Sequence, residues 1–181
     1  MKRVPKRPRT KAKIVVRALS PAATRGLLSF GSLSVPCALG RSGRRVRKRE
    51  GDGATPVGSW PIRRMFYRAD RACRPRTRLP VAPIDASAGW CDAPGDRNYN
   101  RPVRHPYAAS AEHMWRADNL YDAVVVLGYN DRPRARGLGS AIFMHLARPG
   151  YAPTEGCIAL ERRHLLRVIE RARRGTVVRV C

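Results

Sequence analysis

Residues 140–160 read SAIFMHLARPGYAPTEGCIAL. A short apolar run from Ala141 to Leu146 is followed by a turn rich in Pro and Gly, then by a second apolar run from Cys157 to Leu160. Short apolar runs bounded by turn residues are strand signals. The same punctuation recurs outward from this stretch, at Lys13 to Leu19, Leu27 to Phe30, Ser34 to Leu39, Gly58 to Tyr67, Ala123 to Leu127 and Thr176 to Val180. Many short strands with turn chemistry between them predict a mainly β fold, a sandwich or barrel.

One helix interrupts the pattern. In Arg163 to Arg174, Leu165, Leu166, Val168, Ile169 and Ala172 form an apolar stripe at helical spacing. Gly175 is placed to end it, and basic residues fill its last turn, where the helix dipole favours them. A second, weaker helix is expected at Ser110 to Trp115. Between Arg68 and Arg104 runs a long segment rich in Pro, Gly, Asp and Arg, and segments of this length in compact domains tend to be functional. Residues 1–12 are basic, carry two prolines and lack periodicity, so they read as a disordered arm. Residues 13–181 then make one domain, long enough for a core of its own.

Lys and Arg number 37 against 13 Asp and Glu, for a net charge of +24. Such an excess suits an acidic polymer, either nucleic acid or an anionic cell envelope. Arginine drift on solvated faces in a GC-rich genome gives the same composition. No zinc finger, RNP-like aromatic pattern or glycine-rich phosphate loop accompanies the charge, which speaks against nucleic acid.

The cysteines are Cys37, Cys73, Cys91, Cys157 and Cys181. No two form a CxxC pair, so no metal site is expected, and no cofactor. The odd count leaves at least one thiol free; a Cys73–Cys91 bridge stays open. No run of about 18 apolar residues is present to span a membrane. Ile14-Val15-Val16 is too short for a signal-peptide core and Arg17 ends it.

Chemistry concentrates in the opening stretch. A two-strand hairpin of this length would bring His145 beside Cys157. A free thiol, with a pKa of about 8.5, is a poor nucleophile near neutral pH. A neighbouring imidazole withdraws the proton and stabilises the thiolate. Gly156 lets a substrate carbonyl approach closely, and backbone amides near Gly156 and Cys157 are candidates for holding an oxyanion. The competing reading of His145, between Met144 and Leu146, is a packed core residue.

Two segments together resemble the YkuD family of L,D-transpeptidase catalytic domains. One is Ala141 to Leu160 with the following helix and closing strand. The other is Lys48-Arg49-Glu50-Gly51-Asp52-Gly53-Ala54-Thr55-Pro56-Val57-Gly58, similar to the family's dG-x-TP-x-G signature and completed here by Trp60 and Pro61. The resemblance implies a β-sandwich with one α-helix in its C-terminal half, a long loop insertion, and a cysteine nucleophile in a cleft. It implies acyl transfer on peptidoglycan stem peptides: attack at the L-centre of the third residue, release of D-alanine, and transfer of the thioester to an amine on another stem. Cys157 carries over as nucleophile and His145 as base. Members typically have Ser/Thr-His-Gly-Cys, with Arg two residues and Asn four residues after the cysteine. Here Thr154-Glu155-Gly156-Cys157 is followed by Ala159 and Glu161, which marks a divergent branch without the substrate-binding arginine.

Thr154 is a further candidate for the catalytic cleft. Trp90, Tyr99, Asn100 and Arg101 form a loop whose aromatic, amide and guanidinium groups suit a polar peptide. The turn at Tyr129 and Asn130 is expected to face the same cleft. The expected setting is the periplasm or cell envelope, as a monomer without an obligatory protein partner. Hydrolysis of stem peptides at the same site, as an L,D-carboxypeptidase or amidase, is the nearest alternative; a basic nucleic-acid-binding protein is a remoter one.

Overall fold

A computed structural model of the chain describes residues 13–181. The basic arm expected at 1–12 lies outside the described residues. Fourteen strands and one α-helix follow in the order β1 (Lys13–Ala18), β2 (Arg25–Phe30), β3 (Leu33–Ala38), β4 (Arg44–Arg45), β5 (Thr55–Pro56), β6 (Gly58–Tyr67), β7 (Val81–Pro83), β8 (Ala88–Cys91), β9 (Pro102–Arg104), β10 (Ala111–His113), β11 (Ala123–Leu127), β12 (Phe143–Leu146), β13 (Ile158–Leu160), α1 (Arg162–Arg171) and β14 (Val177–Val180). The main sheet runs β11-β12-β13-β3-β2-β1-β14-β6-β7, and β6 also pairs with β11. The sheet therefore folds back on itself, and β6 closes it.

Alternation decides which side of each strand faces inward. Ile14 and Val16 of β1, Leu28 and Phe30 of β2, and Leu33, Val35 and Cys37 of β3 point into one core, while Lys13, Leu27 and Ser34 face solvent. Leu165, Val168 and Ile169 of α1 seal the same core and are fully buried. Burial of side chains this size stabilises by roughly 1.5–3 kcal/mol each.

The helix stops at Arg171, earlier than the expected end at Arg174, and Ala172 is extended. Gly175 serves the next turn instead, with φ +84°, where Thr176 N–H donates to Arg173 O over 2.9 Å. The chain needs that turn to enter β14, which lies parallel to β1.

Every residue of β11 is buried, because both faces are covered. Ala123, Val125 and Leu127 face the main core. Val124 and Val126 face a second core shared with Trp90, Met114, Tyr121 and Phe143. The covering layer comes from the Pro- and Gly-rich segment and the residues that follow it, which together carry a small sheet in the order β10-β8-β9. The helix expected at Ser110 to Trp115 is strand β10 in this layer, with Glu112 opposite Trp90. Six residues are too few to repay helix nucleation, and the edge of β8 offers their backbone a partner.

Candidate active site

A parallel pair, not a hairpin, brings His145 and Cys157 to the same cleft. Strand β12 runs parallel to β13, with His145 opposite Ala159. Side chains alternate along a strand, so Cys157, two residues before Ala159, shares the face of His145 and Phe143. The crossover between the strands contains the short turn Pro149–Tyr151 and a bridge between Thr154 and Gly40. Both side chains line one cleft of about 410 Å³.

The turn that presents the cysteine is tightly specified. Thr154 Oγ1 accepts the Gly156 N–H over 3.1 Å and donates to Cys157 O over 2.7 Å. Thr154 thus holds the turn through its side chain. Gly156 has φ +127°, and a Cβ there would sit 2.7 Å from Ala54 O. Only glycine accepts both the conformation and the approach. Ala54 belongs to the upstream signature, whose conformation Asp52 sets. The Asp52 carboxylate accepts the N–H groups of Arg49 and Ala54 and pairs with the buried Lys48 ammonium at 2.6 Å. Thr55 Oγ1 accepts the Gly40 N–H over 2.8 Å, and Arg41 N–H donates to Thr154 O. The two distant motifs are therefore one packed unit in space.

Cys157 Sγ donates to Ala141 O over 3.2 Å and accepts the Phe143 N–H over 3.3 Å. Ala141 has φ +51°, a conformation costly for a residue with a Cβ. Its N–H is held by Asn100 Oδ1 at 3.1 Å. His145 Nδ1 lies 2.8 Å from Leu146 O. A carbonyl can only accept, so Nδ1 carries the proton and Nε2 is left with its lone pair. The Tyr121 ring stands edge-on to the imidazole, 5.4 Å between centroids.

Burial pushes the Cys157 thiol up to about 12, with the charge of Glu112 adding to the effect. Burial lowers the His145 imidazole to about 4. The resting pair is therefore neutral thiol and neutral imidazole, not the stabilised thiolate expected from sequence. Desolvation is the largest cause for both groups.

The residues proposed from sequence to contact substrate lie elsewhere. Trp90 is buried in the second core and donates to Asn100 Oδ1 over 2.9 Å. Tyr99 donates to Glu50 Oε2 over 2.5 Å and accepts the Gly139 N–H. Asn100 Nδ2 donates to the carbonyls of Tyr129 and Asn130. Tyr129 donates to Leu138 O and packs edge-on against Trp60 at 4.8 Å. Asn130 holds a turn through Ala135 and Gly139. Arg101 lines a separate arginine-rich hollow with Arg97, Arg132, Arg134 and Arg136. None of the six lines the cleft of Cys157; their polar groups support the loops behind it. Asn100 matters through Ala141, whose carbonyl receives the thiol.

Sequence reasoning missed most of the cleft's polar lining: Glu50, Asp92, Glu112, Arg116, Tyr121 and Arg148. Asp92 lay within a segment read as functional and Glu50 within the upstream signature; the others carried no local signal. Arg116 pairs with Asp118 through two contacts of 2.8 Å. Among the described residues Arg148 has no ion-pair partner. Ala159 stands in the cleft where the typical family arginine would be, and Glu161 sits outside the cleft at the start of α1. Glu155 is exposed and pairs with Arg41 at 2.7 Å, a surface contact of little energetic weight. All five cysteines are free, with Cys73 exposed and Cys91 buried. Among the described residues no cluster of metal-ligating side chains occurs.

A mainly β fold closed on itself, with a thiol and an imidazole presented on adjacent parallel strands in one cleft, defines the class. The chain belongs to the YkuD family, the L,D-transpeptidase catalytic domain, whose profile matches residues 30–180. Among solved structures it is similar to L,D-transpeptidase 1 of Mycobacterium tuberculosis, with 12% identity and a TM-score of 0.39 over 93% of this chain. The chain spans 62% of the length of that structure. A search of curated proteins returned no match.

Proposed function

We propose that the chain is a cysteine-dependent peptidoglycan L,D-transpeptidase of the cell envelope. The observation that carries the reading is the Nδ1 contact of His145 with Leu146 O, which turns a basic nitrogen toward the cleft that holds Cys157. Because the resting pair is neutral, the thiol proton leaves Ala141 O for Nε2 as sulfur attacks the stem-peptide carbonyl. Of the two amides expected to hold the oxyanion, Gly156 N–H is already spent on Thr154, so Cys157 N–H serves. His145 then returns its proton to the departing D-alanine amine. The thioester on Cys157 passes to an acceptor amine on a second stem. Arg148, at the rim, takes the role of carboxylate anchor that Ala159 cannot fill.

The test is Cys157→Ala with a purified muropeptide donor and acceptor. The substitution is small, so the fold persists while cross-linking and D-alanine release cease. Replacement of Cys37, Cys73, Cys91 or Cys181 costs far less. A carbapenem gives one thioester adduct, found by intact mass and mapped to the Cys157 peptide. Retained turnover in the alanine variant refutes the assignment, and hydrolysed stems without cross-links would make the enzyme a carboxypeptidase. A fusion reporter places the chain inside or outside the inner membrane; among the described residues no helix is long and apolar enough to cross one.

A further inference from the structure

Besides the exposed Glu155, the cleft contains three carboxylates for which acylation of Cys157 has no use: Glu50, Asp92 and Glu112. Glu112 is the central residue of β10 and is held by the Tyr121 hydroxyl, whose ring packs on His145. One side chain thus links the carboxylate to the base. Among the described residues no cation pairs with Glu112. Its charge reaches the nucleophile, since it opposes ionisation of Cys157. Burial holds the Glu112 carboxyl above its ordinary range, and the charges of Asp92 and Glu50 add to this.

Two further atoms of the same wall are open. Ser140 Oγ and Asp92 Oδ1 are buried without a hydrogen-bond partner, and Ser140 is only 6% exposed. Buried polar atoms are normally partnered, so unpartnered ones in a reaction cleft mark a place for a ligand's donors. A primary ammonium brings three N–H donors and one positive charge, which two carboxylates and a hydroxyl match.

We propose that this wall is the acceptor subsite, in which Glu112 takes a proton from the ammonium of the incoming acyl acceptor while Asp92 and Ser140 hold its remaining N–H groups. The inference rests on the acyl-transfer reading above. The ammonium gives one proton to Glu112 and becomes a free amine. Its nitrogen forms the C–N bond as the thioester C–S bond breaks. A second N–H proton passes through His145 Nε2 to the departing Cys157 sulfur, which restores the thiol. Glu112 then releases its proton to water. The net change is thioester plus ammonium to amide, thiol and one proton.

The experiment compares the wild-type chain with Glu112→Gln at neutral pH, using a stem-tetrapeptide donor and two acceptors. One is a D-amino acid, whose amine is protonated at that pH. The other is hydroxylamine, which is uncharged and needs no base to free it. Mass spectrometry follows D-alanine release, amide and hydroxamate. Gln keeps the side-chain shape and the contact with Tyr121. We expect transfer to the D-amino acid to fall about a hundredfold in the variant, with hydroxamate formation close to wild type and the first-turnover burst of D-alanine from the donor not slowed. Equal loss with both acceptors would mean a structural defect and overturn the proposal, as would equal transfer by both proteins. A slowed first-turnover burst of D-alanine would assign Glu112 to the donor and overturn it too. If the wild-type chain releases no D-alanine and makes neither product, the acyl-transfer reading itself fails and takes this one with it.

Discussion

Alkylation of Cys157 against pH separates a burial-controlled thiol from a preformed ion pair. The perturbation is pH from 6 to 10, on the wild-type chain and on His145→Ala. With its pKa pushed up to about 12, Cys157 is thiolate in about 1 molecule in 100,000 at pH 7. A small free thiol of pKa about 8.5 is thiolate in about 1 in 30 at that pH. Iodoacetamide therefore labels Cys157 about three-thousandfold more slowly than the free thiol at pH 7. The logarithm of the rate climbs with unit slope through the whole range and shows no plateau at low pH. In His145→Ala the profile stays or moves toward faster labelling, because the lost ring admits water to a site whose burial suppresses the thiolate. Turnover of the same variant falls by about a hundredfold or more, since no base remains for attack and leaving-group departure. The assay is peptide-mapped labelling of Cys157, with glutathione labelled in parallel and a melting curve on each protein. A rate plateau below pH 7 that vanishes in His145→Ala would show a preformed thiolate–imidazolium pair and refute the reasoning. Unchanged turnover with a lowered melting point would make His145 a core residue only.

Acid stability should carry the signature of His145. Its folded pKa of about 4 lies below the ordinary 6.5, so its contribution is full above 6.5 and is lost as pH falls toward 4, up to about 3 kcal/mol. Denaturant melts from pH 7 to 4 should show that slope, and His145→Gln should flatten it; an identical slope in the variant would exclude the burial account. Asn100→Ala leaves the Trp90 indole N–H and Ala141 N–H without their acceptor, at a cost of about 1–3 kcal/mol. Turnover should fall as well, because the Ala141 carbonyl that orients the thiol is released, and a variant with lowered stability but full turnover would remove Asn100 from the positioning of Cys157.

The strand pattern was legible because its physics is local. Gly58–Tyr67 and Ala123–Leu127 form strands at the bounds read from composition and turn residues alone. The α1 stripe and the two family signatures were legible for the same reason, as were the residues that line the cleft as Cys157 and His145. Direction and pairing were not: the short interval between His145 and Cys157 suits a hairpin, yet the chain crosses over and the strands run parallel. Parallel pairing also requires Gly40 to bridge to Thr154 and Gly156 to pack on Ala54, contacts that only the folded chain brings together. The loop from Trp90 to Arg101 was chemically dense, but density does not tell a wall from its scaffold, and most of its polar groups turn inward to partner the backbone. Glu112 reaches the cleft because β10 adds to the edge of β8, a pairing that no local pattern in the sequence signals. Desolvation, which decides that the resting thiol and imidazole are neutral, is a property of the packed cleft as a whole, and no residue type or spacing encodes it.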